Sequence, residues 1–159
     1  MFFADPVRAF LNIRTSLRSE GRLAFACFRE LRENPWLFTP LQAAYEHTPK
    51  LPGVGPDDPD PFSFASRDRV ERILSEAGFR RIRLEQCDLS LDLAAGQGGL
   101  DAAVQTAIEV GPASRALEGQ PPEVLEAAEK SIRKALARFA IGQSVALPAS
   151  IWIVTALDP

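Results

Sequence analysis

Apolar residues along this chain alternate between helical spacing and continuous or two-residue spacing, and the switches between them mark out the elements. Asp5-Pro6 forms a helix opening, a capping side chain followed by proline at the first helical position. Val7, Phe10, Leu11 and Leu17 then follow a helical period, and Gly21 supplies the stop. Leu23 to Phe28 is a nearly continuous apolar run, which predicts a strand buried on both faces. Asn34-Pro35 opens a second helix reaching about His47, with Trp36, Leu37, Leu41 and Ala44 on one side. The stretch 49–61 is rich in proline, glycine and aspartate and predicts a surface loop.

Ser66 caps a third predicted helix carrying Val70, Ile73, Leu74 and Ala77, which Gly78 ends. From Phe79 to Leu93 apolar and polar residues alternate, the pattern of a long, half-exposed strand. Helices are predicted over 100–110, 112–117 and 121–139, the last with Leu125, Ala128, Ile132, Leu136 and Phe139 inward. Its glutamates (Glu123, Glu126, Glu129) come first and its basic residues (Lys130, Arg133, Lys134, Arg138) last, as the helix dipole favours. Ile151 to Ala156 closes the chain as an apolar strand. The order reads as a single α/β domain over 1–159 with helical insertions at about 32–48 and 99–140. Met1-Phe2-Phe3 has the composition of a strand's last residues, and Met1 is the only methionine, as expected of an internal methionine in a longer reading frame.

Composition narrows the function classes. The chain is 46% hydrophobic and 25% charged, values of a folded soluble protein. A net charge of −3 gives no basic field to recruit nucleic acid or an anionic membrane surface. No apolar run approaches the length of a membrane span, and the N-terminus lacks the basic lead-in of a signal peptide. Cys27 and Cys87 lie far apart in apolar segments and read as reduced thiols of a cytoplasmic protein. His47 is the only histidine, so neither a histidine-based triad nor a multi-histidine metal site is expected within one chain. Near the end of its helix it suits the dipole, or else lines a pocket. Arg80, Arg81 and Arg83 alternate with acids and read as a solvated strand edge rather than a phosphate patch. Asp57, Asp58 and Asp60 lack the glycine-hinged ligand series of a calcium loop.

Four segments carry a family resemblance. Residues 1–25, and within them Leu17-Arg18-Ser19-Glu20-Gly21-Arg22-Leu23, are similar to the helix and "L-(R/K)-P-G-G-(R/K)-L" turn that feed the fifth strand of class I S-adenosylmethionine (SAM)-dependent methyltransferases. Leu74-Ser75-Glu76-Ala77-Gly78-Phe79 resembles the same family's "L-x-x-A-G-F" turn into the sixth strand. Residues 108–117 and Trp152-Ile153-Val154-Thr155-Ala156 resemble one bacterial branch of its ubiquinone/menaquinone methyltransferase-like superfamily. The resemblance implies the C-terminal half of a Rossmann-like fold. Strands five, seven and six would be present with the end of strand four, strand seven running antiparallel between its neighbours. The half that binds SAM would be absent, so no cofactor is expected on this chain alone.

The resemblance also implies an acceptor side. Phe3, Phe28, Arg29, Asn34 and Trp36 lie at strand C-termini or on the insertion after them, where open α/β sheets bind ligands. They are the expected pocket for a small-molecule methyl acceptor, although Phe28 and Trp36 suit a hydrophobic cap equally well. No catalytic residue is indicated, because the sulfonium is already activated and alignment does most of the work. Leu91-Asp92-Leu93-Ala94-Ala95-Gly96-Gln97-Gly98-Gly99 mimics the family's cofactor loop. Context decides against it: the chain after Leu100 holds too little for the strand–helix units that must follow such a loop. The alternative to a methyltransferase half is a non-catalytic chain that self-associates through the exposed edge of the strand at 23–28.

Overall fold

The computed structural model describes residues 2–53, 55, 58–96 and 98–159. The fold is α/β, with six α-helices, one short 3-10 helix (Leu31–Glu33) and a four-stranded sheet among the described residues. The chain divides into two units. Met1–Glu30, Val54–Asp88 and Ser150–Pro159 make the first, and Leu31–Gly53 with Leu89–Ala149 the second.

In the first unit Asp5 accepts the Arg8 N–H at 2.9 Å and opens α1 (Pro6–Thr15). The helix ends well before Gly21. The Thr15 and Ser16 hydroxyls both donate to the Asn12 carbonyl, at 2.9 and 3.0 Å, and draw the last turn away from the ladder. Phe10 is buried, while Leu11 turns to solvent. Phe2 and Phe3 carry no strand, and Met1 lies outside the described residues.

β1 (Arg22–Phe28) pairs antiparallel with β4 (Ser144–Leu157), Phe25 opposite Val154. β2 (Arg80–Asp92) lies on the other side of β4, giving the order β1-β4-β2. β1 corrects the expectation of a strand buried on both faces. Leu23, Phe25 and Cys27 join the core, whereas Arg22, Ala24 and Ala26 are exposed. The run alternates in size rather than in polarity, large residues inward and alanines outward.

α3 (Arg67–Glu76) follows its sequence signals closely. Ser66 caps it, Val70, Ile73 and Leu74 are buried, and Gly78 follows at φ +88°, a backbone conformation that L side chains resist. Arg14 donates to the Gly78 carbonyl at 3.0 Å, tying α1 to this turn. Phe10, Phe64, Leu74, Phe79, Leu84, Trp152 and Val154 fill the centre of the unit.

The second unit is helical. It holds α2 (Pro35–Ala44), α4 (Gly99–Glu109), α5 (Pro112–Leu117) and α6 (Pro122–Ala137), within the segments expected to be helical insertions. Ala44, Ala103 and Ala128 are fully buried beside Ile132, Leu136 and Leu147. Small side chains at these positions let α2, α4 and α6 approach closely. Of the residues expected inward on α6, Leu125 is instead exposed.

The closing strand is twice as long as its apolar run suggested. A tight turn at Gly142 (φ +60°) joins β3 (Ala140–Ile141) to the start of β4, with Ala140 opposite Val145. Pro148 lies within β4 with its side chain exposed.

Candidate functional site

Of the five residues expected at an acceptor pocket, three belong to the first unit and two to the second. Phe3 rests edge-on against Phe10, with ring centroids 6.4 Å apart. Phe28 packs on Phe62 at 5.7 Å. Arg29 follows directly at the C-terminal end of β1. Its guanidinium bridges to Asp88 at 3.1 Å and lies over the Trp152 ring at 5.2 Å. Ser150 donates to the same Asp88 oxygen at 2.7 Å, so Asp88, within β2, joins the residue that follows β1 to the middle of β4 in one polar cluster. Arg67 covers Trp152 as well, at 5.0 Å, and donates to the Leu84 carbonyl at 2.7 Å. Trp152 sends its indole N–H to the Ala65 carbonyl at 2.8 Å. The indole is thus held in the plane by a hydrogen bond and flanked by two cations, whose charge favours the ring.

A cleft of about 430 Å³ opens in this unit beside the last residue of β1. Glu30, Phe62, Ser63, Ser66, Arg69 and Arg72 are among its walls. Both charge signs and one aromatic ring line it, which suits a small polar ligand with an apolar portion. Phe62, Arg69 and Arg72 escaped sequence reasoning, since nothing local ties loop 58–63 or the outer face of α3 to the end of β1. The loop carries Asp58 and Asp60. Asp60 accepts the Phe62 N–H at 2.8 Å and Asp58 the Gly55 N–H, so both serve turns; Asp57 lies outside the described residues.

Asn34 and Trp36 meet in the second unit. Asn34 is fully buried at 0% exposure, and its side-chain oxygen accepts the Trp36 indole N–H at 3.2 Å. Trp36 also lines a void of about 10 Å³ with Leu37, Pro40 and Leu93, room for one water at most.

The glycine-rich imitation of a cofactor loop has a structural occupation. The Asp92 carboxylate accepts the N–H groups of Val145 (2.9 Å), Ala94 (3.0 Å) and Gly96 (2.9 Å). These bonds, Val145 first, hold its pKa below the usual aspartate range. Oδ1 takes the Val145 and Ala94 amides and Oδ2 that of Gly96, so the carboxylate latches the turn to the start of β4. Gln97 of this loop lies outside the described residues.

His47 Nε2 meets the Ser131 hydroxyl at 2.8 Å, and Ser131 donates to Glu46 at 2.9 Å. The serine proton goes to the glutamate, so the histidine donates to Ser131 rather than taking its proton. The trio ties α6 to the turn after α2. Glu46 stands 4.0 Å from the same Nε2 that meets Ser131, not on the opposite ring nitrogen where the acid of a triad would orient the histidine. Arg80, Arg81 and Arg83 are exposed along β2, as a solvated strand edge should be. Cys27 and Cys87 are both free thiols.

Among the described residues, no group of three or more histidines, cysteines, aspartates or glutamates could hold a metal ion. No helix among them is long and apolar enough to cross a membrane. In comparisons with known proteins, the chain matches no family model and no curated protein.

Proposed function

We propose that the chain is the acceptor-side, C-terminal part of a class I SAM-dependent methyltransferase acting in the cytoplasm. The observation that carries this reading is the strand order β1-β4-β2, with the last strand of the chain central and antiparallel to β1. The resemblance in sequence implies that order for strands five, seven and six. The turns that carry the resemblance fall between α1 and β1 and between α3 and β2.

The residues of this chain do not fit SAM itself. The one glycine cluster stands beside Asp92, whose carboxylate is spent on three backbone amides. What the chain offers is the cleft just after β1, with Glu30 and Phe62 in its walls and Phe28 packed on Phe62. There it would orient a small-molecule acceptor and exclude water, the contributions a methyl transfer requires of a protein.

The test has two parts. The coding DNA upstream of the Met1 codon, or a separate partner gene, should encode a strand, a glycine-rich turn and an acid-tipped strand. The chain extended by that half should bind SAM at micromolar concentration in a calorimetric titration, and the 159-residue chain should not. An upstream frame and partner set without such a half would sink the reading.

A second reading is favoured by the open edge of β1: a folded, non-catalytic chain that associates with itself. Sedimentation of the purified chain tests it, with an assembly expected and a monomer at high concentration contradicting it.

A further inference from the structure

We infer that the outer face of the sheet in the first unit binds a phosphate group, held by Arg22, Arg81, Arg83 and the Thr155 hydroxyl. The register shows how the site is built. In the pairing of β1 with β4, Arg22 stands opposite Leu157 and Ala24 opposite Thr155. Paired residues share a face of the sheet, and successive residues alternate between faces. Leu23, Phe25, Val154 and Ala156 face the core, so Arg22, Ala24, Thr155 and Leu157 face away from it. On β2, Ile82 and Leu84 pack against the same core, which turns Arg83 outward between them.

A cleft of about 430 Å³ lies on this outer face, with Arg22, Ala24, Arg81, Arg83, Thr155 and Leu157 among its walls. Arg22 comes from one outer strand and Arg81 and Arg83 from the other, two strand spacings or about 10 Å apart. Among the described residues no carboxylate lines the cleft, and the three guanidiniums make no hydrogen bond or ion pair. The acids nearest in sequence are Glu20, Glu85 and Asp158, and Asp158 pairs with Arg14 at 3.8 Å. Arg81 is also strained. Its φ is +49°, a conformation that L residues resist and that persists mostly where a site requires it. Exposure of Arg81 and Arg83 by itself fits a solvated strand edge. The arrival of Arg22 from across the sheet is what makes a site of it.

Three cations gathered without a counter-ion raise the potential of the cleft, and an anion bound there relieves it. Guanidinium forks match the oxygens of carboxylate or phosphate. A carboxylate offers two oxygens in one plane, whereas the donors here stand on both sides of the cleft and, at Thr155, on the strand between. A tetrahedral phosphate presents oxygens in all of these directions. The net charge of −3 opposes a long polyanion, so the ligand is small, either free phosphate or a phosphorylated small molecule. This site sits at the start of β1, and the cleft with Glu30 and Phe62 follows its end. Seven residues of strand put the two about 20 Å apart. The phosphate site is therefore a separate one, and it does not rest on the methyltransferase reading.

Calorimetric titration of the full chain with inorganic phosphate and with phenyl phosphate tests the site, at about pH 8 where both are dianions and at fixed ionic strength. Saturable binding with a Kd of about 1 mM or tighter is expected for both, and none for acetate. Tighter binding of phenyl phosphate assigns the site to a phosphorylated molecule, and tighter binding of inorganic phosphate to the free ion; either order supports it. Arg22→Gln and Arg83→Gln should each weaken phosphate binding about tenfold. Arg80→Gln removes the same charge outside the cleft and should leave binding unchanged. Equal losses from all three variants would reduce the effect to net charge and overturn the site. Acetate binding as well as phosphate, or no saturable binding up to about 10 mM, would overturn it too. Should a variant fail to fold, the amide spectrum of the wild type locates the ion: phosphate should shift the signals of Ala24, Arg83 and Thr155. Shifts confined to Phe62, Ser63 and Arg72 would move the ion to the other cleft and overturn the proposal.

Discussion

The carboxylate of Asp92, at the end of β2, accepts the backbone N–H of Val145 at 2.9 Å, across from the start of β4. The same group also closes the turn through Ala94 and Gly96. Its pKa lies below the ordinary aspartate value because these amides favour the charged form. A depressed folded-state pKa contributes stability that is present above the unfolded value and lost as pH falls through the folded one. The expected result is that Asp92→Asn flattens the stability profile below about pH 4 while leaving the rest of its shape intact. Thermal unfolding of both proteins across an acid series checks it, and parallel profiles would count against the latch.

Trp152→Phe should destabilise the first unit by about 2 kcal/mol, since it removes a buried N–H donor and leaves the Ala65 carbonyl unmet. Urea unfolding measures the change. An effect under about 0.5 kcal/mol would mean that water replaces the indole without cost.

Gly78→Ala should lower stability by about 1.5 kcal/mol, because φ +88° disfavours any Cβ. The new methyl would also overlap the Arg14 guanidinium, but that side chain can swing aside. Backbone strain therefore dominates. The substitution should cost nearly the same in an Arg14→Ala background, and a much smaller cost there would shift the cause to the arginine.

The two thiols should separate by reactivity. Burial pushes the Cys27 thiol up to about 11, and its sulfur sits 3.6 Å from the Phe64 carbonyl. Cys87 is half-exposed. With a thiol reagent at pH 8, Cys87 should label promptly and Cys27 only on unfolding. Mass-spectrometric peptide mapping distinguishes them.

The elements most legible in the sequence were those whose signals are local. Ser66 and Gly78 bracket α3 with a cap and a stop that act within one turn. β1 was read as a strand but with the wrong environment, because Ala24 and Ala26 look hydrophobic in a string and fit solvent equally well. The first half of β4 went unread: Ala146, Pro148, Ala149 and Ser150 have weak strand preference, and pairing with β3 and β2 overrides it. For the site, the end of β1 could be located from the run 23–28, whereas the facing walls could not. Arg69 and Arg72 reach the cleft from a helix more than thirty residues downstream. The role of Asp92 did leave a trace. An aspartate at a strand's end followed by Ala94-Ala95-Gly96 is also the signature of a side-chain-latched turn.

The buried alanines of the second unit have a consequence for how this sequence can drift. Ala44, Ala103 and Ala128 have no solvent exposure, and they stand where three helices come together. Any larger residue must push two backbones apart, and a serine must find a partner for its hydroxyl. Residues that are interchangeable elsewhere thus become the least replaceable letters in the chain. A saturation library selected for folding should return these three positions nearly unchanged while exposed Ala24 and Ala26 vary widely.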